Sequence, residues 1–252
     1  MLINRLLLVV VAACLPGAGC SGPDPRGPVN AGVPTYGCRF AAGPIKIDGS
    51  LDDPAWADAP FSADFIRRRV GVRIMPKNIH TRMKMLHDDA NLYIGVECRD
   101  SDIWSTFTER DDPVLFEEAV SVYVDPLGNG RDYYGFYVNP LNALLDLKRH
   151  SPSLDMRWKI WLECTRWNAE GIEHAVQVDG TVNKRDDEDT GWTLEMKLPF
   201  SALGVRPRPD DRWRVQVGRN TVPRFSGMVL SSWARTESLS YPRDFGVLLF
   251  QE

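Results

Sequence analysis

Apolar and polar residues alternate one by one along most of this chain, and a period of two leaves few choices of fold. Leu92, Ile94, Val96 and Cys98 interleave with Tyr93, Gly95 and Glu97. Val120, Val122 and Val124 interleave with Ser121 and Tyr123, and Tyr134, Phe136 and Val138 with Gly135, Tyr137 and Asn139. The pattern returns in Trp158, Ile160, Leu162 and Cys164, and again in Trp192, Leu194, Met196 and Leu198. Successive side chains of a strand point to opposite faces, so each run reads as a strand with one buried face. Turn residues separate the runs, as in Asp88-Asp89-Ala90-Asn91 and Asp125-Pro126-Leu127-Gly128-Asn129-Gly130. Helix-like pieces are confined to 52–59 and 199–203. Many strands with short turns specify an all-β fold, read here as an antiparallel β-sandwich: a two-sheet module of jelly-roll or immunoglobulin-like kind.

The first twenty residues follow another pattern. Arg5 precedes an apolar run over 6–13 that is too short to span a bilayer, which takes about 20 residues, but has the length of a secretory signal. Two cysteines compete for its end. Val11-Ala12-Ala13-Cys14 resembles a bacterial lipobox but leaves an unusually short signal. Ala18-Gly19-Cys20 gives a longer one, and Ser21, Gly22, Pro23, Pro25, Gly27 and Pro28 then read as a tether unable to bury apolar area. Cys20 is therefore the expected lipid attachment site, with Cys14 and an ordinary cleaved signal of a secreted protein as alternatives. With Ser21 following Cys20, the sorting signal resembles an outer-membrane one. The expected organisation is a signal peptide over 1–20, a tether over 21–35 and one β domain over 36–252, extracytoplasmic and anchored to a membrane.

Several function classes fall away on composition. The formal net charge is −4, and the longest basic run is Arg67-Arg68-Arg69, so nucleic acid is not an expected partner. Cys38, Cys98 and Cys164 form an odd set with no disulfide framework. Cys98 and Cys164 sit at apolar positions and read as buried hydrophobes, while a pairing of Cys38 with either stays open. The four histidines, His80, His87, His150 and His174, show no metal-ligand spacing. Glycosidases place two carboxyls about 5–10 Å apart. Glu117-Glu118 and Asp186-Asp187-Glu188-Asp189 supply carboxylates, but neighbours along a strand or loop point different ways. No catalytic constellation is legible, and an enzyme is not expected.

Six segments, in order, resemble the family 9 carbohydrate-binding modules. Ile47-Asp48-Gly49-Ser50-Leu51-Asp52-Asp53-Pro54-Ala55-Trp56 is similar to the family's opening signature, and Asn91-Leu92-Tyr93-Ile94-Gly95-Val96 to an early strand. Asp111-Asp112-Pro113 through Val122-Tyr123-Val124-Asp125-Pro126 resembles its acidic loop and the strand after it. Tyr133-Tyr134-Gly135-Phe136-Tyr137-Val138-Asn139, Gly191-Trp192-Thr193-Leu194-Glu195-Met196 and Arg243-Asp244-Phe245-Gly246 complete the series. The resemblance implies a β-sandwich related to DOMON-like domains, non-catalytic binding of poly- or oligosaccharide, and a role beside glycoside hydrolases or uptake proteins in carbohydrate catabolism.

It also implies where a sugar would sit. Family members clamp a ring between two tryptophans. Here the first falls at Leu115 or Phe116 and the second near Leu239, with Tyr241 the closest aromatic. Ser121 replaces the strand carboxylate and Tyr137 the strand arginine, while Asn139 matches. The alternation independently places Tyr133, Tyr137 and Asn139 on one strand face, with Ser121 and Tyr123 beside them. Trp161 stands between Lys159 and Glu163 on a further strand, and Arg219 ends another. Together these residues predict an aromatic, polar-rimmed outer face suited to a sugar, the alternative being rings buried beneath loops. Loop oxygens of Asp125, Asn129 and Asp132 are candidates for a structural calcium, three where such a cation takes six to eight. Two other functions are kept in view: an assembly lipoprotein with a degenerate sugar site, and a haem carrier using Met83, Met85 or His87.

Overall fold

The computed structural model describes residues 32–67, 79–150, 165–222, 227–236 and 238–252. The expected signal, the tether through residue 31, the candidate anchor residues Cys14 and Cys20, and Trp161 and Cys164 lie outside the described residues. Twelve strands are present among those described: β1 (Thr35–Phe40), β2 (Ile66–Arg67), β3 (Thr81–His87), β4 (Asn91–Arg99), β5 (Ala119–Asp125), β6 (Tyr133–Val138), β7 (Leu144–Arg149), β8 (Glu173–Asp179), β9 (Gly191–Pro199), β10 (Arg212–Thr221), β11 (Val229–Ser232) and β12 (Gly246–Phe250). One short helix, α1 (Phe200–Leu203), follows β9 and stops at Gly204, whose φ of 69° is the left-handed conformation that ends a helix.

The strands run β7-β6-β5-β10-β12-β1-β3-β4-β9-β8, with β11 beside β10 and β2 beside β11. The expectation of a purely antiparallel sandwich is corrected at one strand. β1 is parallel to β12 through Thr35–Cys38 and parallel to β3 through Arg39–Phe40, whereas all other pairings are antiparallel. β1 is thus the seam at which one curled sheet passes from one half of the molecule to the other. Alternation in sequence reports which face a residue takes and is silent on strand direction.

The two halves enclose one core. Val120, Val122, Val124, Phe136, Val138, Trp213, Val215 and Val217 from one half meet Met83, Met85, Leu92, Ile94, Val96, Trp192, Leu194, Met196 and Leu198 from the other, all buried. Removing each such side chain from water contributes about 1.5–3 kcal/mol before the cost of ordering it. Met83 and Met85 are wholly enclosed among these side chains, and the His87 ring stands edgewise on Phe250 at 5.1 Å, so the Met-His series is packing. Cys38 and Cys98 are buried free thiols, and burial pushes Cys98 up to about 12.

Two of the sequence motifs are joined by a single carboxylate. Glu195 of β9 accepts hydrogen bonds from the Asp48 and Gly49 backbone N–H groups at 3.0 and 2.9 Å and from the Trp56 indole at 2.7 Å. Gly49 has φ of 90°, and a Cβ there would lie 2.7 Å from the backbone of Gln177 and Val176, so only glycine lets the loop approach.

Candidate functional site

The outer face of the β7-β6-β5-β10 half carries Ser121, Tyr123, Tyr133, Tyr137 and Asn139, as the alternation requires. It is not open. Tyr123, Tyr133, Tyr137, Leu145 and Leu147 are buried beneath Val114, Leu239 and Phe245, with Phe107 and Leu115 at the margin. The expected exposed aromatic surface is therefore corrected: its rings form a second core under covering residues from 105–117 and from 234–236 and 238–245. Tyr137 is 7% exposed and Asn139 wholly buried.

Specific hydrogen bonds hold both covers. The Asn139 amide donates to Ser105 Oγ and to the Phe107 carbonyl, each at 2.8 Å, and its oxygen accepts from Ala143 N–H. Glu117 accepts from Ser105 Oγ, from Thr106 N–H at 2.7 Å and from Phe107 N–H. Asn220 donates to the Leu115 carbonyl at 2.7 Å. On the other side Gln216 makes a paired bond with the backbone of Ala234, and the Tyr133 hydroxyl donates to the Ser240 carbonyl at 3.0 Å. Tyr123 and Tyr137 share a hydroxyl–hydroxyl bond, and burial pushes Tyr137 up to about 12.

Leu239 is the plug. A Cβ on Gly218 would lie 2.6 Å from a Leu239 methyl and 2.9 Å from Ser121 Oγ, so the leucine fills the hollow that a glycine leaves in the sheet. The Ser121 hydroxyl and the Asn220 side-chain oxygen stay buried there without a protein partner. Of the expected sugar contacts among the described residues, two remain accessible. Phe116, the last residue of the 3-10 turn Val114–Phe116, is 65% exposed. Tyr241 is half-buried, with the Arg243 guanidinium 4.0 Å from its ring centre.

Arg219 takes the opposite face, which corrects its expected role at the sugar surface. It follows Val215 and Val217 into the main core, donating to Asp100 and Glu118 at 2.5 Å each and to the Arg99 carbonyl at 3.0 Å. Glu118 also accepts from the Trp192 indole and from Trp104 N–H. Two carboxylates face one guanidinium, and burial with the nearby Asp100 pushes Glu118 up to about 8 against the pull of Arg219. In the other acidic run Asp189 is structural too, accepting from Ile103 and Thr181 N–H groups at 2.8 and 2.7 Å, while Asp186, Asp187 and Glu188 are exposed.

The loop after β5 brings Asp125, Asn129 and Asp132 together, but as a hydrogen-bonded turn. Asn129 Oδ1 accepts from Arg131 and Asp132 N–H groups, its amide donates to Asp132 Oδ2, and Asp125 Oδ2 accepts from Gly130 N–H. Only Asp125 Oδ1 is buried without a partner. A donor amide turned toward Asp132 and oxygens already engaged do not fit a hard cation, and no group of three metal-binding side chains converges among the described residues.

The profile of the carbohydrate family 9 binding domain-like family matches residues 47–221. The chain belongs to that family. Its fold is shared with solved structures of low sequence identity. A proposed carbohydrate-binding protein from Bacteroides uniformis aligns with a TM-score of 0.63 at 15% identity, covering 87% of this chain and 100% of that one. A family 9 module from Caldicellulosiruptor kristjanssonii in complex with cellotriose gives 0.61 at 14%, covering 86% and 94%, and one in complex with glucose gives 0.58 at 13%, covering 86% and 96%. No curated protein is similar enough to count as a relative. In this member the outer face expected to take a sugar is packed interior at Tyr123, Tyr133, Tyr137 and Asn139.

Proposed function

We propose that this chain is a non-catalytic carbohydrate-binding module, carried outside the cytoplasm on lipid-modified Cys20 and presented to poly- or oligosaccharide at the cell surface. Membership of the family 9 binding domain-like family carries the reading. Structural neighbours captured with cellotriose and glucose support a neutral oligosaccharide as the ligand class. The buried, hydrogen-bonded state of Glu117, Glu118 and Asp189 supports a module that binds rather than hydrolyses, because none is free to act as acid or nucleophile. The N-terminal apolar run, Cys20 and the tether support the anchor, and capture of glycan for neighbouring hydrolases or uptake proteins is the role that follows.

The test has two arms. Metabolic labelling with a fatty acid should mark the wild type and Cys14→Ala, and should be lost in Cys20→Ala. The domain without its signal should bind members of a neutral glucan and xylan panel. A blank panel overturns the carbohydrate reading, and labelling retained in Cys20→Ala overturns the assigned anchor.

A further inference from the structure

With the tyrosine and asparagine part of the expected sugar face packed, a binding module can use another recess, and the described residues include two of small-molecule size. One, of about 340 Å³, lies over β4, β9 and β8 and is lined by polar side chains such as Glu97, Gln177 and Thr193, with its tryptophan, Trp192, buried. The other, of about 710 Å³, opens where β1, β3 and β12 end beside α1. Small-molecule sites are typically about 300–1,000 Å³ and combine apolar walls with a few planar polar groups. The larger recess has both.

Its apolar wall is a series of rings running from core to solvent. Trp213 meets Phe250 at 4.9 Å, Phe250 meets His87 at 5.1 Å, and His87 meets Phe40 at 5.4 Å, each steeply inclined. Phe40 ends the series and is 46% exposed. His87 is held between two backbone carbonyls, with Nε2 2.9 Å from that of Gln251 and Nδ1 3.3 Å from that of Asp88. An exposed ring anchored to a rigid stack presents apolar surface at little entropic cost.

Its polar rim carries both signs of charge. Arg206 pairs with Asp89 at 2.7 Å, but the two side chains are 64% and 83% exposed, so the pair is weak and its groups can turn to a ligand. The Arg208 guanidinium, also on the rim, makes no ion pair among the described residues. The walls are stiff. Asp88 accepts from Ala90 and Asn91 N–H groups and from the Tyr93 hydroxyl, and Pro207 and Pro209 restrict the facing loop.

We infer that this end recess is the sugar site of the protein: a neutral pyranose packs on Phe40 while Arg206 and Asp89 bond its hydroxyls. The inference rests on the carbohydrate reading above and relocates its site. Asp88, Asp89 and Glu252 outnumber Arg206 and Arg208 in the lining and disfavour a strongly anionic ligand, and Phe40 gives the exposed ring that the smaller cleft lacks.

The experiment is titration calorimetry of the folded domain with the best neutral glycan from the panel, cellotriose being the first probe. Phe40→Ala and Arg206→Ala, both at exposed positions, should weaken binding about tenfold or more with circular dichroism unchanged. Phe116→Ala and Tyr241→Ala should stay within about twofold of wild type. If wild type binds but Phe40→Ala and Arg206→Ala bind as well as it does, or only Phe116→Ala and Tyr241→Ala lose affinity, the end recess is overturned while the carbohydrate reading stands. If wild type binds no glycan, that reading falls and this site falls with it.

Discussion

Replacing Leu239 by alanine removes the side chain that fills the hollow above Gly218. Leu239 is 7% exposed, and its methyls lie where a Cβ on Gly218 would stand, between Ser121 and the Tyr123–Tyr137 pair of the second core. Buried Leu→Ala changes cost about 2–5 kcal/mol, depending on how far the site collapses. Ser238 and Ser240 on either side are half-buried and leave the segment room to close partly, which puts this case at the low end, about 2–3 kcal/mol. For a domain of this size that lowers Tm by about 5–10 °C. Urea unfolding followed by tryptophan fluorescence should show a lower midpoint at unchanged slope, since the surface exposed on unfolding hardly changes. Leu141→Ala is the control: at 36% exposure it should stay within about 0.5 kcal/mol of wild type. If Leu239→Ala is as mild as Leu141→Ala, the outer face is not a packed core, and its closure against sugar loses its support.

Two further predictions concern the buried carboxylates. Glu118 keeps its proton in the folded protein up to a pH of about 8, well above its ordinary carboxylate range, chiefly through burial. The folded state therefore binds more protons than the unfolded between about pH 4.5 and 8, so this group's contribution to stability falls as pH rises through that window. Glu118→Gln stays neutral and should flatten the decline in urea midpoints measured at pH 5, 6.5 and 8; an unchanged decline would remove Glu118 as its cause. Glu195→Ala strands the Asp48, Gly49 and Trp56 donors, and at about 1–3 kcal/mol for each buried unpaired group should cost about 3 kcal/mol or more. Equal unfolding midpoints for Glu195→Ala and wild type would show that the loop is not tied to β9 through this residue.

Alternation made the strands of the main core readable, because Val120, Val122 and Val124 face Phe136 and Val138 as the pattern says. It could not tell that the opposite face was also covered. Ser121, Tyr123, Tyr133 and Tyr137 are residue types at home in water or under a loop, and one of the two covers that decide between these comes from more than a hundred residues away at Leu239 and Phe245. Arg219 was misplaced for a related reason. A strand-end arginine reads as solvated, and only Asp100 and Glu118, brought in from other elements, make its burial tolerable. The end recess left no local mark either, since Phe40, His87, Arg206 and Phe250 meet only after β1 has crossed between the halves of the sheet.

Closure of the family face is the claim on which the rest depends, and solvent contact measures it directly. A soluble paramagnetic relaxation agent should broaden the ring resonances of Phe40 and Phe116, which are 46% and 65% exposed, and spare those of Tyr123, Tyr133 and Tyr137, all at or below 7%. Attenuation of Tyr137 equal to that of Phe116 would mean that the covers stand open in solution and that the inherited face is free to take a sugar.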